Sequence, residues 1–159
     1  MTRLHTLLSW AAQAALGLAC AALVFMASIQ AWQVFARYVL NDSPSWSEPV
    51  SLLLMSTAMM LGAAAGVRAS RHFGFFVLVE SVPLPVQRVL RFVASGIAAA
   101  TGLMFAVWGA VLAAGSWGFN MAGVSLPQGA VFLPMCVGGG LIALFALEQI
   151  VTPLKKDGV

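Results

Sequence analysis

Apolar positions in this chain gather into four long runs, roughly Leu7–Phe35, Val50–Val67, Phe92–Phe119 and Ala130–Ile150, with short polar segments between them. A bilayer core about 30 Å thick takes about 20 apolar helical residues to cross, and each run is near or above that length. None carries a charge near its middle. The pattern predicts an all-α integral membrane protein, a single four-helix transmembrane domain over residues 1–159. Ionisable side chains at bilayer depth are the usual mark of ion paths and proton relays. Their absence from the middle of every run points to a scaffold or partner subunit before a transporter in its own right.

The breaks between the runs carry most of the local information. Twenty-nine residues at about 1.5 Å each give the first helix roughly 44 Å, so it must tilt or extend into the interfaces. Trp10 and Trp32 near its ends suit interfacial depth. Asn41-Asp42-Ser43-Pro44-Ser45-Trp46-Ser47-Glu48-Pro49 combines turn and N-cap residue types. Ser45 or Ser47 is expected to cap the second helix, with Pro49 in its first turn and Glu48 on its positive end. Between the second and third helices, Val86-Gln87-Arg88-Val89-Leu90-Arg91 puts two arginines on one helical face and apolar residues on the other. This is either a short interfacial helix or the start of a long third helix. Asn120–Gly129 is a tight connection marked by Gly and Pro, and Pro134 falls in the first turn of the fourth helix.

Composition sharpens the class. Hydrophobic residues make up 61% and charged residues 8% of the chain, against roughly 25% charged in soluble domains, so no aqueous fold is expected. The net charge of +3 comes from basic residues placed singly, which gives no nucleic-acid-binding stripe. Their placement sets an orientation instead. With the N-terminus in the cytoplasm, Arg3, Arg68, Arg71, Arg88, Arg91, Lys155 and Lys156 lie inside and only Arg37 outside. That is the positive-inside pattern, and it predicts cytoplasmic N- and C-termini. Cys20 and Cys136 lie within helices and are read as small packing residues. The N-terminal run continues well past any signal-peptide length, which favours an uncleaved first helix.

Candidate chemistry is sparse. His5 and His72 cannot face each other as haem ligands, and no Cys, His and carboxylate cluster has metal-ligand spacing. No cofactor, metal or catalytic residue is assigned. Glu148 is expected to snorkel or pair locally near Lys155 and Lys156. Arg37 and Glu48 could pair with each other or meet a partner. Small residues form candidate packing or subunit-contact stripes: Ala58, Gly62 and Gly66 in the second helix, and Gly102, Ala106, Ala110 and Ala114 in the third. In lipid such stripes allow close backbone approach. Bulk at Gly62 is therefore expected to harm assembly more than Glu148→Gln.

Arg37-Tyr38, Asn41 and Trp46-Ser47-Glu48, followed by Gly62, Arg71-His72, Leu126-Pro127 and Pro134, resemble in order and spacing the small membrane subunit of tripartite ATP-independent periplasmic (TRAP) transporters, the DctQ-like family. The resemblance spans essentially the whole chain. It departs at Pro49, where the family commonly has a second acid, and at Phe76, where it often has another. The resemblance implies an accessory subunit, not an enzyme, in the bacterial inner membrane. Its partners would be a large DctM-like membrane subunit, a periplasmic substrate-binding protein and membrane lipids, with no nucleic acid. Sodium coupling and the organic-acid site (C4-dicarboxylates or sialic acid, for example) would belong to the large subunit, and no substrate residue to this chain. Arg37, Trp46 and Glu48 would sit at the periplasmic rim as anchors or docking contacts, and Arg71 and His72 at the cytoplasmic boundary. Two other classes remain: a small multidrug-type exporter, which would need a carboxylate that Leu7–Phe35 lacks, and a membrane anchor for a redox enzyme.

Overall fold

The computed structural model describes residues 2–69 and 84–151. It contains four long helices: α1 (Thr2–Tyr38), α2 (Ser47–Arg68), α3 (Leu84–Gly115) and α4 (Leu133–Val151). A 3-10 turn at Gln128–Phe132 leads into α4. Four segments are long and apolar enough to cross a membrane: Thr6–Tyr38, Ser47–Arg68, Val89–Gly115 and Gln128–Ile150. Two boundaries differ from those expected. The helix begins at Leu84, so Val86–Arg91 is the first part of α3 and no separate interfacial helix forms there. At its other end α3 stops at Gly115 instead of running to Phe119. Trp117 N–H bonds the Ala114 carbonyl and Phe119 N–H the Ser116 carbonyl, each three or fewer residues back, so the chain tightens out of the α-helix. Apolar composition alone does not register that turn.

Two antiparallel hairpins make up the fold. α1 packs on α2, α3 packs on α4, and α2 and α4 join the hairpins, so the helices lie in the order α1, α2, α4, α3. The paired helices α2 and α4 run in the same direction, since Met60 meets Gly138 while Arg68, further along, meets Glu148. One end of the molecule therefore holds the α1–α2 and α3–α4 loops. The other holds the start of α1 and the end of α4.

Each seam follows a spacing of alternating four and three residues. On α1 the inward positions are Ala15, Ala19, Ala22, Met26, Ile29, Gln33 and Ala36, of which the four alanines are buried. On α3 they are Ser95, Ala99, Gly102, Ala106, Gly109 and Ala113, with Ser116 just past its end. A mean spacing of 3.5 residues keeps one face on a neighbour in left-handed packing. Small side chains on that face let backbones approach and gain dispersion contacts that lipid does not otherwise favour. The closest approaches are at glycines. A Cβ on Gly139 would lie 2.6 Å from the Ala106 nitrogen and 2.7 Å from the Gly102 carbonyl oxygen. One on Gly138 would lie 2.6 Å from the Met60 Cβ, so α4 uses neighbouring glycines to take α3 on one side and α2 on the other. Where α2 meets α4, Ala64, Ile142 and the fully buried Phe145 form a cluster that also touches Leu8, Ala11 and Ala12 of α1.

The candidate interfaces and the DctQ family

At the loop end, α1 terminates on Asn41, whose φ of +54° is the left-handed conformation that Asn tolerates better than most residues. Asp42 N–H reaches back to the Ala36 carbonyl. The chain then turns at Pro44 into α2. Trp46 occupies the N-cap position with helical φ and ψ and makes no side-chain capping bond. The expected Ser45 or Ser47 cap does not form. Ser47 lies one residue inside the helix, fully buried, and both its N–H and its hydroxyl donate to the Pro44 carbonyl, the hydroxyl at 2.8 Å. Because Trp46 is already helical, the entry is held by that turn and not by a cap. Glu48 stands in the first turn of α2, as expected.

The α3–α4 connection reaches across to this turn. Asn120 and Pro127 form an antiparallel bridge, and Met121 N–H donates to the Leu126 carbonyl at 2.9 Å. Gly123 takes φ +82° at the tip, where a Cβ would lie 2.5 Å from the Ser45 carbonyl oxygen. Only glycine suits both the torsion and the contact. The two loops are thus packed backbone on backbone. Around them Arg37, Tyr38, Asp42, Trp46, Glu48, Trp117 and Phe119 are exposed. Arg37 and Glu48 form no ion pair with each other. This end is an ordered rim with aromatic and charged groups facing outward.

At the opposite end the chemistry is internal. Arg68, the last residue of α2, forms an ion pair with Glu148 of α4, the two side chains being 13% and 17% exposed. The Arg68 guanidinium also lies 5.4 Å from the centre of the Phe145 ring, within cation–π range. Next to Glu148, Gln149 donates through Nε2 to the Val67 carbonyl at 2.5 Å and accepts from the Ser95 hydroxyl at 3.4 Å. The Val67 carbonyl lies in the last turn of α2, where carbonyls lose the regular intrahelical pattern, and Gln149 donates to it. Glu148 therefore pairs across helices, eighty residues away in sequence, and not locally as expected. Proximity along the chain could not reveal that partner. Arg71 and His72 lie outside the described residues, as do Lys155 and Lys156.

Of the small-residue candidates, Gly102 and Ala106 lie on the α3–α4 seam, while Ala110 and Ala114 face outward and are exposed. The seam continues instead through Gly109, where a Cβ would sit 2.7 Å from the Cys136 nitrogen, and Ala113, which is buried. Ala58 is buried, whereas Gly62 is half-buried with the Ala19 Cβ at an ordinary 3.9 Å, and Gly66 is also half-buried. Gly109, Gly138 and Gly139 were not singled out from sequence. For Gly138 and Gly139 the Gly-Gly-Gly run at 138–140 was the visible signal. Between α2 and α4, Leu53, Thr57, Leu61, Ala130, Leu133, Pro134 and Val137 line an open apolar recess of about 280 Å³. Its one hydroxyl, on Thr57, is already bonded to the Leu53 carbonyl.

Four apolar helices whose seams are closed largely by Ala and Gly, with charge confined to their ends among the described residues, make a packing unit. Residues 26–156 match the family described as "Tripartite ATP-independent periplasmic transporters, DctQ component". The chain belongs to the DctQ family. It is also 26% identical over 148 residues, 88% of each chain, to a Haemophilus influenzae protein described as "Putative TRAP transporter small permease protein". The chain is accordingly the small permease component of a TRAP transporter, a multi-pass protein of the inner membrane and not an enzyme. In this DctQ protein the matched region takes in both loops of the rim and the whole Arg68–Glu148–Gln149 cluster.

Proposed function

We propose that this DctQ component is a static brace in a sodium-coupled importer of organic acids. Its apolar helices support a larger DctM-like membrane subunit, which holds the sodium and substrate sites. Its loop end faces the periplasm and contributes Arg37, Trp46 and Glu48 to the surface where a substrate-binding protein docks. One observation carries this reading: the helix seams are closed by interlocked small residues around an apolar core, and the ion pair lies at the helix ends. Among the described residues no charged side chain stands near the middle of a helix to meet a carboxylate or a coupling ion, and such a unit is well suited to hold a neighbour. The ordered rim, with Arg37 and Glu48 exposed and not paired to each other, offers both signs of charge to a soluble partner.

The test is uptake in proteoliposomes carrying the large subunit, this chain and the binding protein, with and without a sodium gradient. Omitting this chain is expected to abolish sodium-dependent uptake of the organic acid. Arg37→Glu combined with Glu48→Lys is expected to lower uptake several-fold while the two membrane subunits still co-purify. Unchanged uptake without this chain would end the proposal.

A further inference from the structure

The joint between the two hairpins raises a question that its apolar contacts do not answer. Within each hairpin the connecting segment sets how the helices align. No direct connection joins α2 to α4, because the chain leaving α2 leads to α3, and at the loop end the hairpins meet through the approach of Gly123 to Ser45. Along that joint Met60 lies over Gly138, and Ala64 fits beneath Phe145. A slide of α2 by seven residues would put Leu53 over Gly138 and Thr57 beneath Phe145. Both arrangements again set an apolar chain on glycine and a small residue under the ring. A seam with a seven-residue repeat is nearly blind to such a slide. The polar cluster is not. The slide would carry Leu61 to the place of Arg68, leaving Glu148 against a leucine and drawing the Val67 carbonyl away from Gln149.

We propose that Arg68, Glu148 and Gln149 form a register lock that sets the alignment of the two hairpins in the membrane. Leaving the part-buried Glu148 carboxylate against a leucine without its partner is unfavourable, and polar groups at otherwise degenerate helix seams are well attested as register devices. Ser95 adds α3 through its bond to Gln149, so three helices share one polar knot. The role does not depend on which solute the complex carries.

The test is disulfide cross-linking of the full-length chain in membranes, in a background with Cys20→Ala and Cys136→Ala. Leu53→Cys with Leu133→Cys, which line the same recess, reports the observed register. Thr57→Cys with Ile142→Cys reports the slid one, since Ala64 is the present neighbour of Ile142. The first pair is expected to cross-link in the parent background. Arg68→Glu or Glu148→Arg alone should reduce that yield several-fold and raise the second. The exchanged double variant, Arg68→Glu with Glu148→Arg, should restore the original pattern. If a charge reversal keeps the protein from accumulating, Arg68→Gln reads the same two cross-links. An unchanged pattern in the single variants, or failure of the exchanged pair to restore it, would overturn the lock.

Discussion

At the scale of single residues, the glycines of α4 show how unequal neighbouring positions can be. Gly139 sits where an added Cβ would lie within 2.6–2.9 Å of Ala106, Gly102 and Phe105, two of those contacts being backbone atoms. Backbone yields less readily than a flexible side chain, so the helices must separate. Gly139→Ala is expected to destabilise the protein by about 1–3 kcal/mol, the usual range for overpacking. Gly140 has nothing within 4 Å of its Cβ direction. There Gly→Ala should be neutral or stabilising by up to about 1 kcal/mol, because Ala is the better helix former. Thermal midpoints of the two variants in mild detergent check the contrast, and equal midpoints would contradict the contact. Gly62, with ordinary space around it, is the more forgiving site for Ala. The disruptive bulk expected there applies more strongly at Gly139, and Glu148→Gln is not the mild change that local pairing implied.

Between neighbouring helices, the governing variable is the period of the seam. An i+4 row advances 400° per step, so it drifts by about 40° each time at 3.6 residues per turn. The row Gly102, Ala106, Ala110, Ala114 therefore winds off the contact face, whereas alternating fours and threes stay on it. The same rule separates adjacent alanines of α1: Ala22 is buried against the second helix and Ala21 is exposed. Ala22→Leu should cost about 1–3 kcal/mol by overpacking and Ala21→Leu little, as read by denaturation in detergent. What the sequence made legible follows from this. The number and approximate extent of the helices follow from apolar length, and the Glu48 and Pro134 positions from the helix-end chemistry around them. The face each helix presents was only half legible, because Ala and Gly occur on every side. The Arg68–Glu148 pair was not legible at all, since its members meet only when the hairpins join.

For the whole molecule, the remaining question is which end faces out, and three features bear on it together. The loop end carries Trp32, Trp46, Trp108 and Trp117 at or near the helix termini, while Trp10 marks the other side. On α1, Trp10 and Trp32 are 22 residues apart, about 33 Å of helix, close to the thickness of a bilayer core. That spacing suits a pair of interfacial tryptophans but gives no direction. The basic residues supply direction: among the described residues Arg37 is the one Lys or Arg on the loop side, while Arg3, Arg68, Arg88 and Arg91 lie towards the opposite end. By the positive-inside rule the loop end is expected to face the periplasm, as proposed above. Ser43→Cys, exposed in the α1–α2 loop, should then react with a membrane-impermeant maleimide in intact cells, and Thr2→Cys only after permeabilisation, both read in the background with Cys20→Ala and Cys136→Ala. The reverse labelling would place the aromatic rim in the cytoplasm, out of reach of any periplasmic binding protein, and would remove the docking role from Arg37, Trp46 and Glu48 while leaving the fold and its polar lock untouched.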